Sequence, residues 1–159
     1  MNQYRISNIF DDLGQEIRVT YESPTCNSPY NWSTNTTNCF PMQASFSGGG
    51  AGWGVYRRWV VDKVVVHDLV AGGTGTGAAP DITTDYTYEG AAWHHDSDDW
   101  WVDAPGVDDV SWGQWRGYKT VTTTVGTGPN SDDKTVTKQV FYQGMHGDNA
   151  ASGTKTVPM

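Results

Sequence analysis

Apolar and polar positions alternate over several short stretches of the chain, and no segment combines helical periodicity with end caps. Residues 4–9 alternate at first and then meet Asp11-Asp12-Leu13-Gly14. Ile17, Val19 and Tyr21 follow on one face, so the pattern predicts a β-hairpin around an Asp/Gly turn. Residues 22–54 carry little regular pattern. Glycine is dense at 47–54 (SGGGAGWG), which supports neither helix nor central strand and predicts a flexible excursion with Trp53 as an anchor. Residues 55–70 (VYRRWVVDKVVVHDLV) are the longest apolar-rich stretch. Apolar residues on both faces predict a central or sandwiched strand, and the abundance of Val argues against the rival helix. Residues 71–80 (AGGTGTGAAP) read as a loop, 83–89 and 118–125 as strands, 126–133 as a turn cluster and 134–142 as a returning strand. Residues 143–159 decay into small and polar residues.

The chain is organised around residues 86–118, two strands expected to be joined by a long loop rich in Trp and Asp. This stretch holds five of the eight tryptophans: Trp93, Trp100, Trp101, Trp112 and Trp115. The expected architecture is all-β, an antiparallel sheet or sandwich of hairpins in a single domain over 1–159. Its parts are a hairpin at 1–21, a Cys/Gly-rich excursion at 22–54, a sheet core at 55–148 and a flexible tail at 149–159.

Composition sharpens this picture. Leu13 and Leu69 are the only leucines, while Val, Thr, Tyr and Trp are plentiful, which favours strands over helices. A chain of 159 residues is long enough to bury a core without a metal or disulfide framework. The formal net charge of −8 and the scattered basic residues argue against a nucleic-acid partner and fit an acidic, solvated surface. No apolar run approaches the length of a membrane span, and the first residues do not read as a signal peptide. Cys26 and Cys39 sit in a polar segment without metal-like companions. They fit a disulfide closing a short loop in an oxidising compartment, with two free thiols as the alternative. Asn31 and Asn35 match the glycosylation acceptor pattern, although an Asn- and Thr-rich loop explains them equally well.

Several constellations invite chemistry. His94-His95-Asp96 with Asp98 and Asp99 is the best metal candidate, but adjacent histidines on a strand face opposite ways, and the acidic residues lack the glycine and bidentate Glu of a calcium loop. A solvated acidic loop is the simpler reading, and no cofactor is implied. His67, Asp68 and Ser111 form a triad only on paper, because no nucleophile elbow supports them. Residues 72–77 (GGTGTG) lack the Lys-Ser/Thr of a phosphate loop. The five tryptophans are either core rings fastening the long loop or a platform for stacking sugar rings. Arg116 is expected to act as a structural latch, forming a forked pair with Asp99 or Asp103 among aromatic neighbours. In a regular strand, Trp112, Gln114, Arg116 and Tyr118 would share one face, and Gly113, Trp115 and Gly117 the other.

Three segments carry a family resemblance. Residues 4–21 (YRISNIFDDLGQEIRVTY) resemble the strand, D-x-x-G turn and strand of the Tyr-Asp repeat in Rhs proteins. Residues 112–118 (WGQWRGY) resemble the W-x-x-W/F-R-G-F/Y signature of that superfamily, and residues 141–148 (FYQGMHGD) are similar to a Y-F-x-G-M-x-G-D element that follows it in actinobacterial members. The order of the repeat hairpin, the Cys39-Phe40-Pro41 excursion, residues 93–96 (WHHD), residues 114–118 (QWRGY) and residues 142–148 (YQGMHGD) also agrees with that family, and the resemblance covers most of the chain. It implies a non-enzymatic β-sheet building block of a secreted or cell-surface shell around a toxin or effector. The implied partners are neighbouring β-segments of a larger Rhs-like chain, with a glycan-binding module as the alternative. The chain departs from the family in holding a single Tyr-Asp-like unit, with neither a self-cleaving core end nor a toxin domain.

Overall fold

The computed structural model describes residues 4–23, 26, 35–46, 50–69, 79–96, 111–127, 133–148 and 153–157; within the strands, side chains are described outside 42–46, 50–53, 95–96 and 111–113. Among these residues the protein is all-β. Eight strands run in chain order: β1 (Asn8–Phe10), β2 (Gln15–Tyr21), β3 (Cys39–Phe46), β4 (Gly50–Arg57), β5 (Val61–Asp68), β6 (Ile82–Asp96), β7 (Ser111–Thr127) and β8 (Lys134–Val140). Six of them form one sheet in the order β1-β2-β5-β6-β7-β8, and β3 and β4 form a separate two-stranded sheet. The chain divides into two compact units, the first comprising 1–23, 59–87 and 121–139, and the second 24–58, 88–120 and 140–159.

In the first unit the expected hairpin forms, with Asn8 opposite Arg18 and Phe10 opposite Glu16. Its turn is built by Asp11. One carboxylate oxygen, Oδ1, accepts the backbone N–H of Leu13 at 3.0 Å and of Gln15 at 2.8 Å, so the side chain replaces backbone partners that the turn cannot offer. The Tyr21 hydroxyl donates to the Ile6 carbonyl at 3.0 Å. β5 lies between β2 and β6, antiparallel to both, which makes the Val-rich strand internal as its two apolar faces require.

Glu16 is the one described residue of this unit that is buried. Its carboxylate accepts from Asn8 Nδ2 at 2.6 Å and from Arg18 Nη2 at 2.7 Å. The Arg18 hydrogen bond holds the Glu16 carboxyl below its ordinary value of 4.5, against the opposing effect of desolvation. A carboxyl lowered in the folded state stabilises the fold above the unfolded value, and that contribution is lost as pH falls through the folded value. Urea unfolding should therefore show the parent losing stability more steeply below pH 4.5 than Arg18→Gln. Equal slopes would remove Arg18 as the cause.

The second unit corrects, over its described part, the reading of residues 22–54 as a flexible excursion. β3 and β4 pair over their full length, from Cys39 opposite Arg57 to Phe46 opposite Gly50. The glycines are tolerated because this is an isolated pair in which β4 needs only one partner. The same pairing ends β4 at Arg57, so the single strand expected over 55–70 is two strands in two different sheets. Cys26 and Cys39 are bonded, with their Cα atoms 5.7 Å apart. Closing a loop of this length stabilises the fold by about 3 kcal/mol in the chain-entropy estimate. The long Trp/Asp loop is also shorter than expected, because β6 continues to Asp96 and β7 begins at Ser111. The expected tail at 149–159 is corrected over its described part. Lys155 donates its backbone N–H to the Asp148 carbonyl at 2.7 Å and accepts from Gly147 at 2.9 Å.

Candidate functional site

The second unit is centred on a stack of aromatic rings. Trp93, on β6, is 2% exposed. Phe40 of β3 stacks on it at 4.8 Å, and Trp115 of β7 meets it edge-on at 4.7 Å. Tyr118 continues the stack at 5.0 Å from Trp115 and 4.6 Å from Tyr88. The Trp93 indole N–H donates to the Thr37 carbonyl at 2.7 Å, which ties the loop before Cys39 to β6. That loop is folded on itself. Asn35 accepts the Thr37 backbone N–H at 3.0 Å and its own amide donates to the Cys39 carbonyl at 2.6 Å, so Asn35 acts as a loop-forming residue.

Regular alternation would place Trp115 and Tyr118 on opposite faces of β7. Gly117 prevents this, because its φ of +85° breaks the pleat and resets the phase. Trp115 is covered before it, and Tyr118 and Thr120 are covered after it. Gly90 does the same on β6 at φ +68°, bringing Tyr88 onto the side of Ala91 and Trp93. A Cβ at Gly90 would also lie 3.0 Å from the Lys119 Cβ. One side chain closes both irregularities: Gln143 Nε2 donates to the Gly90 carbonyl and to the Gly117 carbonyl, each at 2.7 Å. Its two amide hydrogens are thereby both used.

Beyond Gln143 the chain makes a tight turn. Asp148 donates its N–H to the Met145 carbonyl at 3.3 Å, and Gly147 has φ +78°. No described non-glycine residue has positive φ, so the turn is type II, with His146 at its corner. Met145 is buried beneath it. The Asp148 side chain, 3% exposed, points back to β6 and pairs through Oδ1 with His94 Nδ1. Lys155 Nζ lies 3.7 Å from Asp148 Oδ2, which has no hydrogen-bond partner among the described residues. His94, Arg116, Gly144, His146, Gly147 and Asp148 line an open pocket of about 260 Å³.

The residues singled out from sequence fall differently. Trp93 and Trp115 are packed into the stack and are not available as an open platform. Trp100 and Trp101 lie outside the described residues, as do Asp98, Asp99 and Asp103; Trp112 and Asp96 are placed on their strands without described side chains. Arg116 is exposed and makes no hydrogen bond or ion pair among the described residues, so its expected latch to Asp99 or Asp103 lies outside them. Its expected seat among aromatic rings is corrected: the guanidinium near Trp115 is that of Arg58, 5.5 Å from the ring centre. Arg116 lines the pocket instead. His67 pairs with Asp81, which leaves the paper triad without its Asp68 partnership. No group of three metal-ligating side chains occurs among the described residues. Sequence reasoning missed Gln143, His146, Asp148 and Lys155. The glycine spacing of residues 141–148 was the available signal, because glycines there allow the turn that carries His146 and returns Asp148.

No protein-family model, characterised protein or solved structure matches the chain.

Proposed function

We propose that the chain is a non-enzymatic structural module of a secreted Rhs/YD-repeat-like protein, a β-sheet building block whose partners are neighbouring β-hairpins of a larger shell. The observation that carries this reading is the surface of the Tyr-Asp-like hairpin. β1 is an edge strand, and Tyr4, Ile6, Ile9, Phe10 and Leu13 are all exposed, Tyr4 at 98% and Leu13 at 81%. An edge strand with exposed apolar side chains is a template for pairing. No apolar side chain of the first unit is fully buried among the described residues, whereas a sheet ordinarily buries a face against a second layer. The opposite edge, β8, also exposes Val136 and Val140, but it carries Lys134 and Lys138, the charges that blunt an edge against pairing. The recruiting edge is therefore β1. In the second unit, Gly117 of the WGQWRGY segment and Gln143 of the FYQGMHGD segment meet in one hydrogen bond, a role in building the sheet. The disulfide suits an oxidising compartment, and no helix among the described residues is long and apolar enough to cross a membrane.

Tryptophan fluorescence against a panel of soluble and insoluble glycans separates this reading from a carbohydrate-binding module. The structural reading expects no saturable change, because Trp93 and Trp115 are engaged internally. Saturable quenching abolished by Trp100→Ala or Trp101→Ala would replace it with the glycan reading.

A further inference from the structure

The side chains around Asp148 go beyond what the sheet requires. A buried carboxylate is costly unless cations face it. Asp148 has the Lys155 cation 3.7 Å from Oδ2 and the His94 ring nitrogen at Oδ1. Two further basic side chains, Arg116 and His146, line the same pocket. Both are exposed and neither makes a hydrogen bond or ion pair among the described residues. Among the described side chains, the formal charges of Arg116 and Asp148 in the pocket and of Lys155 beside Asp148 come to +1 with the histidines counted neutral, on a chain whose formal net charge is −8. Among these described groups the sign is opposite to that of the whole chain. A long polyanion meets the repulsion of the whole surface, whereas a small anion meets only the pocket.

The geometry suits a small group. At about 260 Å³ the pocket lies just under the ~300 Å³ at which drug-sized sites begin. Gly144 and Gly147 line it with φ of +66° and +78°, a backbone conformation that favours glycine. On β7 Arg116 falls on the face opposite Trp115, and on β6 His94 falls opposite Trp93, so the pocket is separate from the aromatic stack. Asp148 holds His94 by Nδ1 and so fixes the ring, leaving Nε2 as its free nitrogen.

We propose that this pocket binds the oxyanion group of a small ligand, a phosphate or a carboxylate. Arg116 grips the oxyanion with its planar fork of N–H donors, and His146 supplies a second contact from the turn. Asp148 fixes the His94 ring beside them, and Lys155 offsets the Asp148 charge.

The test uses the full chain and follows the His94 and His146 ring resonances by NMR. Inorganic phosphate, glucose 6-phosphate, glucuronate and glucose are titrated separately. Saturable shifts of both rings are expected with phosphate and glucose 6-phosphate if the source is a phosphate, or with glucuronate if it is a carboxylate, and none with glucose. Arg116 is exposed, so Arg116→Gln should fold and should weaken binding at least about tenfold, equivalent to ~1.4 kcal/mol. Lys63→Gln, in the first unit, should leave the affinity unchanged. Absence of saturation up to about 50 mM, far weaker than a millimolar site, would overturn the proposal. So would indifference to Arg116→Gln, or saturable shifts with zinc alone in place of the anions. Because no outcome depends on β1, failure here leaves the structural-module reading standing.

Discussion

Replacing Trp93 by Ala should destabilise the protein by about 3–5 kcal/mol, the range for removing a large buried aromatic side chain. Three partners would be lost together: the Phe40 ring, the Trp115 ring and the Thr37 carbonyl. Each comes from a different part of the second unit, so no single shift refills the space. Trp93→Phe separates the contributions in part, because it keeps one ring while removing the indole N–H and the second ring of the indole. It should cost much less, about 1–2 kcal/mol, with the Thr37 carbonyl left without its donor. Urea unfolding followed by far-UV circular dichroism measures both. A Trp93→Ala variant within about 1 kcal/mol of the parent would mean that the stack does not hold this unit together.

Gln143→Glu should cost about 4 kcal/mol at neutral pH. The amide donates to two carbonyls at 2.7 Å each. A carboxylate has no donor, so both carbonyls lose their partner and face a negative charge. Each unsatisfied buried acceptor costs ~1–3 kcal/mol. Gln143→Leu removes the donors without adding charge and should cost less than Glu. Protonating the introduced carboxyl restores one donor, so the Glu variant should recover relative to Leu as the pH is lowered. Equal stability of the Glu and Leu variants across pH would show that the two glycine carbonyls are solvated and need no bridge.

These two residues show where sequence reasoning reaches and where it stops. The N-terminal hairpin was legible because alternation flanks an Asp/Gly turn whose capping chemistry is local to residues 11–15. The internal position of β5 was legible from valines on both faces. The β3–β4 pairing was not, because glycines so dense weigh against a strand until a partner is known, and the partner is the strand that carries Phe40 and Met42. The face of Tyr118 was misjudged for a related reason. Period-two reasoning holds only while every φ is extended, and a glycine in a strand gives no sign in sequence of adopting φ +85°. The pocket was the least legible feature. His94 and Asp148 stand 54 residues apart, and only the pairing of β6, β7 and the turn after β8 brings them together. Trp93 was noticed as an aromatic, but its role as the ring between Phe40 and Trp115 depends on β3 from the other sheet, on the neighbouring strand β7 and on a phase reset by Gly90.

If the first hairpin is an edge made to be covered, its exposed apolar side chains should drive association when no partner is supplied. Sedimentation velocity of the full chain over a wide concentration range tests this. The parent is expected to show a sedimentation coefficient that rises with concentration. Ile9→Lys combined with Phe10→Lys, which places charge on the β1 edge, is expected to keep the protein monomeric with unchanged far-UV circular dichroism. A parent that remains monomeric throughout, or one whose association is unaffected by the two lysines, would contradict the assignment of β1 as the joining edge of a larger β-structure.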